Sequence, residues 1–124
     1  MHYLLDTETL VTYLTKPESL LKEILTHIKD PKNHIYASTV SIWEIAEQME
    51  QGHNPLGDMS LKDFVEALYE EKSGLKGLPL CGGAIVESTL IPKQGHNPFK
   101  HMIIFQAIYK GFNFISGGEI RDLG

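Results

Sequence analysis

Cysteine occurs once in this chain, at Cys81. That excludes an internal disulfide and fits a reducing compartment, with Cys81 read as a small buried hydrophobe after a strand. No apolar run approaches the roughly 20 residues that span a bilayer. The start carries no basic region followed by an apolar stretch, so no signal peptide is expected. A cytoplasmic protein with no membrane partner follows as the expectation. Positive charge is scarce: 11 Lys and Arg stand against 16 Asp and Glu, a net charge of −5. Proteins that hold nucleic acid through a broad phosphate-neutralising face are usually basic. Any contact with nucleic acid would therefore be local or assisted by metal ions, and an acidic total also suits a basic partner. Repeats, low-complexity tracts and linkers are missing. So are the G-x-x-x-x-G-K-[ST] loop, the G-x-G-x-x-G turn and the G-x-S-x-G elbow. The six histidines form no H-x-x-x-H pair, and no second cysteine is present to build a zinc site. His96 and His101 read as loop and helix-surface residues. A phosphoacceptor receiver domain would need an acidic pair after the first strand and an acceptor aspartate after the third, and neither is in place.

What remains is ordinary globular composition. The 124 residues are 42% hydrophobic and 22% charged, which suits one domain over 1–124 with a core of its own. Strand-like and helix-like pieces alternate. His2 to Leu5 reads as a buried strand, and Thr7 to Leu14 as a helix. Ser19 to Ile28 repeats Leu20, Leu21, Ile24, Leu25 and Ile28 at amphipathic spacing, until Asp30-Pro31 breaks it. His34 to Ala37 is a second strand, Ser41 to Met49 a helix, Leu61 to Tyr69 another. Gly77 to Leu80 reads as a strand, Gly83 to Leu90 as a helix and Pro92 to His96 as a loop. Asn97-Pro98 opens a helix in the favoured way, Asn as N-cap and Pro at the first position, and Gly111 sits where a helix ends. Phe112 to Ile115 is a last strand. Strands separated by helices predict a parallel sheet covered on both faces, with ligands at the carboxyl ends of the strands.

That rule singles out Asp6 after the first strand and Glu44 in the helix after the second. It also singles out Asn97 and Lys100 at the start of the late helix, and Ser116 to Gly118 after the last strand. Each has a plainer reading. Asp6 and Asn97 can be helix caps, Lys100 a solvated charge, and Ser41-Ile42-Trp43-Glu44 a capping box.

Four segments together resemble the PIN-domain toxins of the virulence-associated protein C (VapC) type. Tyr3-Leu4-Leu5-Asp6-Thr7 is similar to the family's leading L-L-D-T. Ser38-Thr39-Val40-Ser41-Ile42-Trp43-Glu44-Ile45-Ala46 is similar to its S-x-x-S-x-W-E-I-A. His96-Asn97-Pro98-Phe99-Lys100-His101-Met102-Ile103-Ile104-Phe105-Gln106-Ala107 runs against H-x-D-P-F-D-R-x-L-I-A-Q-A, and Phe114 to Gly118 against a strand ending in T-x-D. The order and spacing cover essentially the whole chain. The resemblance implies an α/β fold, the PIN-like three-layer α/β/α arrangement with a short, mostly parallel central sheet. It implies an endoribonuclease using Mg²⁺ or Mn²⁺ held by carboxylates, here Asp6 and Glu44 as metal ligands and catalytic acids. It further implies an RNA substrate, a cognate antitoxin as partner and a homodimer.

The sequence departs from that pattern at two of the four acids: Lys100 stands at the third and Gly117 or Gly118 at the fourth. Asn97 also replaces the first aspartate of D-P-F-D, keeping an amide oxygen without the charge. At roughly 4 Å an ammonium repels a unit positive charge by about 4 kcal/mol at an effective dielectric near 20. Glu8 and Glu119 are candidate replacements. Two functions are therefore expected: a metal-dependent ribonuclease with a reduced acid set, or a non-catalytic PIN module for a protein or RNA, in which Lys100 pairs with Asp6 or Glu44 and takes the metal's place.

Overall fold

The structure, a computed structural model, describes residues 1–92, Gly95 and 97–122. Lys93, Gln94 and His96, within the expected loop before the late helix, lie outside the described residues, as do Leu123 and Gly124. The chain alternates as expected: β1 (His2–Leu5), α1 (Thr7–Thr15), α2 (Lys22–Lys29), β2 (His34–Ser38), α3 (Thr39–Glu50), α4 (Leu61–Tyr69), β3 (Leu75–Leu78), α5 (Gly82–Ser88), α6 (Pro98–Lys110), β4 (Asn113–Ser116) and β5 (Glu119–Asp122). The five strands form one sheet in the order β3-β2-β1-β4-β5. The first four are parallel, and β5 returns antiparallel along β4.

Side chains alternate across β1, and both faces are covered. Tyr3 and Leu5 join Leu10, Ile24, Ile45, Phe64 and Leu68 in one core layer. Leu4 points the other way, into a layer with Val40, Leu78, Ile103, Ala107 and Phe114. This is a helix–sheet–helix sandwich, and it explains why β1 reads as a continuous apolar run.

Element boundaries differ from the sequence expectation where local backbone chemistry intervenes. Pro17 to Ser19 forms a separate 3₁₀ turn, Leu20 is extended, and α2 starts only at Lys22 instead of Ser19. β3 covers Leu75–Leu78, earlier than Gly77 to Leu80, because Pro79 has no N–H to give a ladder. α5 ends at Ser88. β5 was not expected at all. Gly117 and Gly118, at φ 60° and 77°, make the two-residue turn that sends the chain back. Cys81 is half-buried at the start of α5.

Two local readings change. α3 begins at Thr39, capped by Ser38, whose Oγ accepts from the Val40 N–H at 3.0 Å. Ser41 and Glu44 therefore lie inside the helix, and no capping box forms. His101 is buried, not a surface residue, because α5 packs on α6. Its Nε2 lies 3.2 Å from the Ser88 carbonyl, and its ring meets Phe105. Among the described residues no helix is long and apolar enough to cross a membrane.

Candidate active-site cleft

Register places the first acid. Leu5 pairs with Ile115 on neighbouring parallel strands, so the next residues, Asp6 and Ser116, sit side by side at the strand ends. Ser116 Oγ donates to Asp6 Oδ2 at 2.8 Å. Asp6 also caps α1, its Oδ1 accepting from the Thr9 N–H at 2.8 Å. The plain capping reading is thus correct, and it orients the carboxylate.

β2 runs directly into α3, which carries Glu44 toward the same edge. Thr7 donates to Glu44 Oε1 at 2.6 Å, a charge-assisted length, and Asn97 Nδ2 donates to Oε2 at 3.1 Å. Thr7 Oγ1 lies 2.9 Å from Ser41 Oγ as well. A hydroxyl has one proton, and the shorter bond to the carboxylate claims it, so Ser41 donates to Thr7. Asn97 caps α6 through Oδ1, which accepts from the Lys100 N–H at 2.7 Å. Its amide therefore joins the α6 start to Glu44.

Asp6 and Glu44 are only 6% and 7% exposed. Burial of a carboxylate is costly unless it is hydrogen-bonded, and here all four oxygens accept one hydrogen bond each from within the chain. A carboxylate oxygen has two lone pairs, so each keeps acceptor capacity toward the cleft.

Asp6, Glu44, Asn97 and Lys100 all line one cleft of about 490 Å³. Glu8 lines it too, with Thr7, Thr12 and Gln48. Glu119 does not. It lies on β5, paired with Arg121 at 3.0 Å and turned away by the glycine hairpin. Lys100 shares the cleft, yet the ion pairs among the described residues are Lys72–Glu70 and Arg121–Glu119. The expected pairing of Lys100 with Asp6 or Glu44 is not formed.

Among the described residues no three His, Cys, Asp or Glu side chains gather into a metal-holding group. Two preoriented carboxylates with free lone pairs fit a different arrangement: one hard divalent ion that keeps several waters and takes one or two carboxylates. Among the described residues a multi-acid cage is not present. Thr7 and Ser41 enter the site without having been singled out. The only sequence signal was their place inside the L-L-D-T and S-x-x-S-x-W-E segments.

The fold is a three-layer α/β/α arrangement around a mostly parallel sheet, with a cleft at the carboxyl ends of its strands. A chain in the crystal structure of VapBC2 from Rickettsia felis, bound to a DNA fragment from their promoter, is similar to this one with a TM-score of 0.61. The likeness covers 94% of this chain and 87% of that chain at 15% sequence identity, and it carries the fold. No protein-family model matches the sequence, and no curated protein does.

Proposed function

We propose that the chain is a PIN-type ribonuclease of the toxin class, hydrolysing RNA phosphodiester bonds at a site with a reduced acid set. The observation that supports this is the meeting of Asp6, Glu44, Asn97 and Lys100, from separate segments, in one cleft at the carboxyl ends of β1 and β2. In this reading Asp6 and Glu44 hold one Mg²⁺ or Mn²⁺, which supplies an activated water and positive charge at the phosphate. Ser116 and the Thr9 N–H hold Asp6 still, while Thr7 and Asn97 hold Glu44, so neither acid has to reorganise. Lys100, with no carboxylate partner, is free to meet a phosphate oxygen. An antitoxin with a basic segment suits the acidic cleft, and a homodimer belongs to the same reading. The test is RNA cleavage with Mg²⁺ or Mn²⁺ by the wild type and by Asp6→Asn. Loss of cleavage in the variant supports the reading, and survival contradicts it.

A second reading has its own observation. With no three-donor metal group among the described residues, the site also suits a non-catalytic PIN module that binds RNA or a protein. It predicts retention of RNA in EDTA without cleavage in Mn²⁺.

A further inference from the structure

A second depression of about 560 Å³ adjoins the cleft and shares Glu44, Gln48, Pro55 and Asn97 with it. One wall is a stripe of α3 and its C-cap residue, Gln51. Glu44, Glu47, Gln48 and Gln51 stand at i, i+3, i+4 and i+7, so they share a helix face. Gln51 lies about 10 Å along the axis from Glu44 at 1.5 Å per residue, which is room for a nucleotide next to the cleft. Phe99 forms part of the wall and is held edge-on by Trp43, with ring centroids 4.9 Å apart. The side chains of Glu47, Gln48 and Gln51 have no hydrogen-bond partner among the described residues.

We propose that this trench reads the base of the nucleotide beside the phosphate that an ion at Asp6 and Glu44 would hold, and that it prefers guanine. The inference rests on the ribonuclease reading of the cleft. Two carboxylates repel a phosphate, so the trench suits a base more than a backbone. Recognition of single-stranded RNA uses unstacked bases, stacked on aromatic rings and bonded along their Watson–Crick edges. Phe99 supplies the ring. The carboxylate of Glu47 can only accept, and guanine alone offers two adjacent donors, N1–H and N2–H, on that edge. Gln48 and Gln51 each carry an amide NH₂ that can donate to an acceptor such as the guanine O6.

The experiment is equilibrium binding of uridine hexamers to the full chain in Ca²⁺, a hard divalent ion that takes oxygen ligands, with the central base uridine, guanine, adenine or hypoxanthine. The wild type is expected to favour the guanine hexamer over all-uridine by about tenfold, the scale of one bidentate base contact. Hypoxanthine, which lacks the 2-amino group, falls between. Glu47→Gln lowers the guanine-to-uridine ratio to below about threefold, as a carboxamide presents one acceptor in place of two. Glu50→Gln, on the exposed face outside the trench, keeps the ratio. Equal binding of all four hexamers, no binding of any, or an undiminished ratio in Glu47→Gln overturns the proposal. The readout needs no cleavage. A guanine preference without Mn²⁺-dependent cleavage would sink the ribonuclease reading alone, whereas cleavage without base preference would sink the trench alone.

Discussion

Asn97 Nδ2 donates to Glu44 Oε2 at 3.1 Å, while the same side chain caps α6 through the Lys100 N–H at 2.7 Å. One amide thus does two separable jobs. Asn97→Ser keeps a capping oxygen and loses the bond to Glu44, whereas Asn97→Ala loses both. Urea denaturation is expected to show Asn97→Ala less stable by about 1–2 kcal/mol, and Asn97→Ser between it and wild type. Equal stability of the Ala and Ser variants would mean that the cap contributes nothing.

Thr7 holds the other oxygen of Glu44, and Ser116 holds Asp6. Each hydroxyl donates to a carboxylate that is more than nine-tenths buried. Thr7→Val and Ser116→Ala each leave a buried charged acceptor short of a donor, at a cost of about 1–3 kcal/mol. Their chemical denaturation midpoints should fall with unchanged slope. Thr12→Val, where the hydroxyl bonds only the Glu8 carbonyl on the helix surface, should stay within about 0.5 kcal/mol.

At the opposite end of the sheet, Lys76 Nζ sits 2.9 Å from His34 Nδ1, across paired β2 and β3. The Lys76 ammonium, some desolvation, His2 and the N-terminal amine together hold the His34 imidazole below its usual range. The unfolded chain therefore binds that proton more readily than the folded one. This contribution to stability is full above the ordinary histidine range and is lost as pH falls through it toward the lowered folded value. An NMR titration should show His34 titrating below the ordinary histidine value, and Lys76→Ala should move it up. No upward movement would remove the ammonium as the cause.

The fold was readable because each layer has its own period. The β1 run, the amphipathic α2 and α4 stripes and the Asn97-Pro98 to Gly111 helix all carry local signals that tertiary packing reinforces. The misses have local causes too. Leu20 and Leu21 continue the α2 pattern but follow a Pro17 turn, and Pro79 cuts β3 short. β5 escaped notice because Glu119-Ile120-Arg121-Asp122 offers a single apolar residue, as an edge strand can. In the site, Asp6 was visible as an acid at a strand end and Glu44 as an acid early in the helix that follows one. The Asp6 cap was visible too, but the other three hydrogen bonds were not, since Thr7, Ser116 and Asn97 meet the acids only after the chain folds. The same holds for the idle Lys100: charge in a sequence says nothing of whether its partner lies within reach.

The most direct test of the account is Mn²⁺ titration into the wild type and Asp6→Asn, run beside single-turnover cleavage of RNA. The account predicts one ion per chain, affinity weaker by about tenfold or more in the variant (at least 1.4 kcal/mol), and cleavage that disappears with it. A wild type that takes up no ion, or an Asp6→Asn chain that cleaves as fast as the wild type, would contradict it.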